Sequence, residues 1–84
     1  MDFAKLPRSA ILVLQALERP MSSKELAKAT NLSERTVRHA LKVLKDSGMI
    51  REIYLLEDAR KRLYALNPGL KLEHIHDGIK ISAL

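Results

Sequence analysis

The sequence contains no cysteine and only three aromatic residues among its 84. Without cysteine the chain can form no disulfide, no thiolate metal site and no cysteine nucleophile. No apolar run approaches the ~20 residues that span a bilayer, and no basic region followed by an apolar segment opens the chain. We therefore expect no membrane insertion or secretion, and a cytoplasmic location.

Catalytic motifs are also missing. The chain has only three glycines and no glycine-rich phosphate loop. It has no nucleophile elbow and no spaced pair of carboxylates, and its Ser, His and Asp residues occur outside any catalytic motif. We expect that the chain is not an enzyme and needs no cofactor.

The composition that is present is that of a small globular domain. Hydrophobic residues make up 46% and charged residues 30% of the chain, and 84 residues suffice for a single core. Fifteen Lys and Arg against ten Asp and Glu give a net charge of +5 and a pI near 9.8. This excess favours a polyanionic partner, although a small soluble protein can also carry surplus lysine. The placement of the charges along the chain has to distinguish between a binding surface for a polyanion and surplus surface charge.

The first predicted helix covers residues 8–18, where good helix formers lie between two prolines. Ile11, Leu14 and Leu17 form one helical stripe. Further apolar residues lie off this stripe, so we expect the helix to be apolar over more than one face.

The second predicted helix is short and covers about residues 23–29. Ser22 precedes Glu25 at the spacing of a capping box, in which the two residues satisfy free amide groups at a helix start. Leu26 and Ala29 are predicted to supply its buried side.

A tight turn leads into the third helix, residues 33–47, which is the clearest helix of the sequence. Asn31 is expected to adopt the left-handed conformation that ends a helix, and Ser33 to cap the next one. Gly48 stands where a helix commonly terminates. The apolar residues recur at spacings of three and four and predict one buried stripe: Val37, Ala40, Leu41 and Leu44.

A β-hairpin is predicted after the third helix. Residues 49–56 are rich in β-branched and aromatic types, residues 57–61 form a polar tip, and residues 62–66 read as the returning strand. Asn67-Pro68-Gly69 breaks the pattern. The remaining residues mix strand-like and helix-like spacings, so their structure stays open.

The predicted fold is therefore α+β and mainly helical. Three helices and a β-hairpin form one unit over residues 1–69, and residues 70–84 form a short apolar C-terminal extension.

The third helix carries a basic face opposite its apolar stripe. At about 100° per residue, Arg35, Arg38, His39 and Lys42 cluster there, with Arg38 toward the edge. The major groove of DNA admits one helix, and arginine can donate two hydrogen bonds to a guanine edge, so these four are the candidate base contacts. An amphipathic helix also exposes charge to water whatever its function, so this face alone does not establish binding.

Two further groups of residues are candidate contacts to DNA. Ser33 and Thr36 near the start of the third helix, with Ser23 at the start of the second, are candidate phosphate contacts, since a helix N-terminus favours an anion. Basic residues also stand at or beside the hairpin tip, where they could straddle a sugar-phosphate backbone. These are Arg60, Lys61 and Arg62.

The run from Ser22 to Ile50 resembles the core of winged helix-turn-helix transcription regulators of the MarR and ArsR kind. The resemblance covers about residues 8–67 and implies a short first strand near Met21 that pairs with the hairpin. It is carried by Glu25-Leu26-Ala27, Leu32-Ser33, Thr36-Val37 with Leu41 and Leu44, Gly48-Met49-Ile50, and the wing-like run Asp58 to Leu66. In those regulators an aspartate often precedes an arginine directed at the minor groove, which nominates Arg60.

The resemblance implies sequence-specific binding of double-stranded DNA by a small homodimeric transcription regulator. The helix at 33–47 would lie in the major groove, and the wing at 57–62 on the backbone or in the minor groove. MarR-type proteins add helices for dimerisation and for a ligand pocket. Because this chain has only one helix before the core and a short tail after it, we expect no small-molecule or metal effector.

Apolar residues beyond the needs of one core predict the homodimer; they are Phe3, Leu6, Ile75, Ile79, Ile81 and Leu84, with the surplus positions of the first helix. Two other functions remain open: a winged-helix module that binds proteins, and a chromatin-type protein that binds DNA without sequence preference. The run from His74 to Asp77 has metal-ligating residue types, but a site needs further ligands, so we expect no bound metal.

Overall fold

The computed structural model describes residues 6–55, 57–75 and 78–83, with side chains described over 6–55, at 57 and over 61–70. Within these ranges the chain forms three helices followed by two antiparallel hairpins. The elements are α1 (Arg8–Ala16), α2 (Ser23–Thr30), α3 (Glu34–Asp46), β1 (Ile50–Leu55), β2 (Asp58–Leu66), β3 (Leu70–Ile75) and β4 (Gly78–Ala83). The predicted fold class, three helices with a hairpin wing, is confirmed.

The predicted caps set the boundaries of α2 and α3. The Glu25 amide donates to Ser22 Oγ at 3.2 Å and the Ser22 amide donates to Glu25 Oε1 at 3.1 Å, which completes the capping box. Asn31 is left-handed, with φ 61°. Ser33 Oγ then accepts from the Thr36 amide at 3.1 Å, so the turn between the helices is fixed by its own sequence.

Two details of the predicted helices are wrong. The buried face of α1 runs through Ala10, Val13 and Leu14, whereas Ile11 is only half-buried. In α2, Leu26 is buried but Ala29 is exposed. The spacing identified both helices correctly, but which side of a short helix is buried depends on how its neighbours pack against it.

The core lies where the three helices meet the base of the first hairpin. Asn67 closes this base, because its side-chain amide donates to the carbonyl of Gly48 at 2.6 Å and its backbone amide donates to that of Met49 at 3.0 Å. Gly48 ends α3 with φ 75°, a conformation that favours glycine. The largest fully buried side chains are Val13, Leu14, Leu26, Val37, Leu44 and Met49.

The first hairpin, β1–β2, forms the wing. Its register shifts after Tyr54, so that Leu55 pairs with Asp58. Strand β2 therefore begins at Asp58, and the polar tip predicted over 57–61 is too long. The three basic residues Arg60, Lys61 and Arg62 lie within the strand and not in a loop.

Met21 joins the wing to the helices, as the resemblance implied. The Met21 amide donates to the Tyr64 carbonyl at 3.0 Å and the Tyr64 amide donates to the Met21 carbonyl at 2.8 Å. This bridge adds a third short segment beside β2.

The C-terminal segment forms the second hairpin, β3–β4. The register pairs Leu70 with Ala83 and Leu72 with Ile81. The strand-like spacing at these positions therefore describes the tail, and the helix-like spacing does not. Across the described residues, no helix is long and apolar enough to cross a membrane.

Candidate nucleic-acid interface

The basic face of α3 is exposed. Arg35, Arg38, His39 and Lys42 all face solvent. The core holds the opposite side, where Val37, Ala40 and Leu44 are fully buried. Because the apolar stripe fixes the rotation of the helix, the four basic side chains project from the domain together.

Arg38 differs from the other three residues of this face. Its Nη2 lies 3.5 Å from Glu34 Oε2, one helical turn earlier, in a pair that remains largely exposed. The other carboxylate oxygen of Glu34 is buried and has no hydrogen-bond partner among the described residues. Arg38 lines the open groove between α3 and the wing, and neither Arg35 nor His39 lines it.

This groove, of about 700 Å³, is lined by residues of α2, α3 and both strands of the wing, and its lining includes the carboxylates of Glu25 and Glu34. The start of α2 contributes Ser23 and Lys24, α3 contributes Arg38, and β2 contributes Lys61 and Arg62. The groove therefore brings together a candidate phosphate contact, a candidate base contact and two candidate wing contacts. These four residues are Ser23, Arg38, Lys61 and Arg62.

Ser33 and Thr36 lie outside this groove, and their hydroxyls interact with each other. The Ser33 hydroxyl donates to Thr36 Oγ1 at 2.9 Å while accepting from the Thr36 amide. The capping of α3 therefore uses the Ser33 hydroxyl in both directions, whereas the Thr36 hydroxyl hydrogen stays available to an anion.

The structure describes only the backbone of Arg60, which lies in β2. Its contact with the minor groove therefore stays a prediction. Of the possible metal ligands in the tail, His76 and Asp77 lie outside the described residues and His74 is described by its backbone alone. The described side chains contain no group of three or more potential metal ligands.

A cluster centred on Glu52 was not predicted from the sequence. Lys45 Nζ donates to Glu52 Oε1 at 2.6 Å, and the Tyr54 hydroxyl donates to Glu52 Oε2 at 2.5 Å. Arg62 Nη1 lies 4.0 Å from the same carboxylate, and its guanidinium lies over the Tyr54 ring at 5.5 Å. We call these four residues the Glu52 cluster.

Electrostatics within the Glu52 cluster favour the charged forms of Glu52 and Lys45 and the neutral form of Tyr54. The hydrogen bond from Lys45, followed by that from Tyr54, lowers the pKa of Glu52. The same carboxylate raises the pKa of Lys45 and the pKa of Tyr54. Alternation along β1 places Glu52 and Tyr54 on one face, but the position of Arg62 opposite Tyr54 depends on the register of the two strands, which spacing within one strand does not indicate.

Comparison with known proteins agrees with this geometry. Residues 11–53, about half of the chain, match the family described as helix-turn-helix domain, and the chain belongs to that family. None of the curated proteins matches the chain.

Several solved structures are similar to the chain. One is BpsR of Bordetella bronchiseptica, whose DNA binding is regulated by 6-hydroxynicotinic acid. It is 30% identical to this chain with a TM-score of 0.72, and the match covers 81% of this chain and 53% of the BpsR chain. The adhesin competence repressor AdcR of Streptococcus pyogenes is 25% identical, with a TM-score of 0.68 over 79% and 50%. A MarR family transcription regulator at 20% identity, with a TM-score of 0.70 over 76% and 44%, supports the fold alone.

The chain thus has the winged helix-turn-helix fold and spans about half the length of these structures. The winged helix-turn-helix fold that the resemblance implied is confirmed. AdcR is a repressor, in agreement with the expectation that this chain is not an enzyme.

Proposed function

We propose that the protein is a transcription regulator that binds double-stranded DNA sequence-specifically as a homodimer. The helix at 33–47 enters the major groove, and the wing at 57–62 contacts the backbone or the minor groove. The observation that supports this most is the convergence of Ser23, Arg38, Lys61 and Arg62 on one groove beside the exposed basic face of α3.

The two parts of this surface suit different contacts with DNA. Phosphates take cationic side chains and hydroxyls from several elements, which the groove supplies, and such contacts set the position of the protein on the duplex. Base edges need donors that project from the middle of a helix face. We therefore keep Arg35 and His39 as base contacts and propose that Arg38, expected from the sequence to contact a base, binds a phosphate beside the wing; Lys42 lies between the two sets.

The homodimer is proposed to form through residues 70–84, with residues 1–69 as the DNA-binding unit. A two-stranded hairpin alone is marginally stable in water. The register of β3–β4 places positions 70, 72, 74, 79, 81 and 83 on one face of the hairpin, and all of them except His74 are apolar. A second copy would cover that face and set two α3 helices about 34 Å apart, one turn of DNA, on a palindromic site.

Dimer formation can be tested by sedimentation velocity with a matched pair of variants. Ile81→Asp places a charge on the apolar face of the hairpin, and Ser82→Asp places the same charge on the opposite face. We expect Ile81→Asp to sediment as a monomer and Ser82→Asp to remain a dimer. A monomeric wild-type protein, or two variants that behave alike, would refute this interface.

DNA recognition can be tested by selecting bound duplexes from a random pool with the full chain. The proposal predicts enrichment of one palindromic consensus. Retention of DNA without enrichment would support the chromatin-type alternative, and no retention at low salt would support a protein-binding module.

The relative BpsR raises the question of an effector. That no effector acts on this chain stays a prediction. Addition of 6-hydroxynicotinic acid to the DNA-binding assay tests it directly, and a change in affinity would overturn it. The ArsR-type resemblance and the cytoplasmic location likewise stay predictions.

A further inference from the structure

The Glu52 cluster connects the end of α3 to both strands of the wing. Lys45 lies in the last turn of α3, Glu52 and Tyr54 lie in β1, and Arg62 lies in β2. The Glu52 side chain is only 10% exposed, although the Lys45 and Arg62 side chains are more than half exposed. The carboxylate is thus the buried centre of an otherwise exposed group of charges.

The other ties between wing and helices lie nearer to the base of the wing or at the level of Glu52, which pairs with Tyr64. Met49 and Ile50 are buried in the core, and the Met21 bridge holds β2 at Tyr64. Beyond these points the hairpin extends into solvent, and Tyr54 is 59% exposed. Because a two-stranded hairpin alone is marginally stable, the ion pair that ties β1 to Lys45, at the same level as the Met21 bridge to β2, restricts how far the wing can swing away from α3.

The cluster also fixes one of the side chains that line the groove. Arg62 is held from one side by the Glu52 carboxylate and lies over the Tyr54 ring on the other. Arginine over an aromatic face is constrained by the attraction between the cation and the ring. Arg62 shares the groove with Arg38, so its position sets the distance between the two cations that face one DNA strand.

We propose that Glu52 is a positioning residue for DNA binding, which holds the wing and Arg62 at a fixed place relative to α3. The inference rests on the proposed function, because it assigns a role within the same DNA-binding surface. Glu52 itself touches no DNA in this scheme and acts through Lys45, Tyr54 and Arg62.

Because Glu52 is negatively charged, a positioning role and a simple effect of net charge predict opposite changes in DNA affinity when its charge is removed. A carboxylate near a phosphate backbone weakens DNA binding, and Glu52→Gln raises the net charge from +5 to +6. Simple attraction therefore predicts that the variant binds DNA more tightly. Loss of positioning predicts the opposite for the specific site, since Lys45 and Arg62 are no longer held by one acceptor.

The experiment compares Glu52→Gln with Asp46→Asn. The second variant also removes one negative charge, but from an exposed residue at the end of α3. Affinity is measured by fluorescence anisotropy on the selected duplex and on a scrambled duplex. We expect Glu52→Gln to bind the selected duplex about three- to tenfold more weakly and the scrambled duplex no more weakly. Asp46→Asn should bind both at least as tightly as wild type.

Tyr54→Phe provides a second variant that keeps the ring under Arg62 and leaves the net charge unchanged. It removes only the hydroxyl that donates to Glu52, so we expect a smaller loss in the same direction. The inference is overturned if Glu52→Gln gains affinity for the selected duplex as Asp46→Asn does, or if Tyr54→Phe binds as wild type. A wild-type protein that selects no duplex would instead remove the proposed function.

Discussion

The two arginines of α3 should respond differently to substitution, because the structure places them differently. Arg35 lies on the free face of the helix, whereas Arg38 is paired with Glu34 and lines the groove beside the wing. A bidentate contact between arginine and guanine contributes about 1–3 kcal/mol of discrimination, or about 5- to 150-fold. A phosphate contact contributes to all sequences alike.

Arg35→Ala should therefore lower affinity for the selected duplex by about 5- to 150-fold for each half-site contacted and relax the consensus at one position of each half-site. Arg38→Ala should weaken selected and scrambled duplexes alike and reduce the slope of log K against log salt by about one per protomer. Lys28→Ala, which removes an exposed cation of α2 that does not line the groove, serves as the control.

The assay is a titration of labelled duplex with each variant at several salt concentrations. Circular dichroism should show unchanged folding, because both arginine side chains are exposed. Equal effects of Arg35→Ala on selected and scrambled duplexes would refute the assignment of Arg35 to bases. A change of consensus with Arg38→Ala would refute its assignment to phosphate.

Three further predictions concern stability, measured by urea or thermal unfolding. Leu44→Ala empties a fully buried position of α3 and should cost about 2–5 kcal/mol; a loss below about 1 kcal/mol would contradict the described core. Ser33→Ala removes the cap of α3 and should cost about 1 kcal/mol, or about 4–8 °C in Tm, so an unchanged Tm would argue against the cap. Because the pKa of Glu52 is lowered in the folded state, the stability it contributes is present above its usual pKa near 4.5 and is lost as the pH falls through the lower folded value. Glu52→Gln should therefore lose less stability than wild type on acidification, and an equal loss would count against the ion pair.

Much of the fold could be predicted because its signals are local. The capping box at Ser22, the left-handed Asn31 and the serine cap at Ser33 each depend on residues within one turn of the chain, and all three are present. The amphipathic spacing of α3 also fixes both its buried and its exposed side. Such features need no knowledge of the tertiary packing.

The features that sequence reasoning missed depend on contacts between distant segments. The register that runs from the base of the hairpin brings Arg62 opposite Tyr54, and the bulge beyond that pair lengthens β2 and shortens the tip. Glu52 acquires its role from Lys45, seven residues earlier, and from a strand that follows the turn. The tail forms a hairpin by pairing residues 70–75 with residues 78–83, and a spacing that was compatible with both strand and helix could not indicate this pairing.

The central claim is that this surface recognises a DNA sequence and not merely a polyanion. Its most direct test is the affinity of the wild-type protein for its selected duplex against a scrambled duplex of equal length, measured at the same salt concentration. We predict a difference of about 10³-fold or more, with both affinities falling steeply as salt rises. Equal affinities for the two duplexes would contradict the claim.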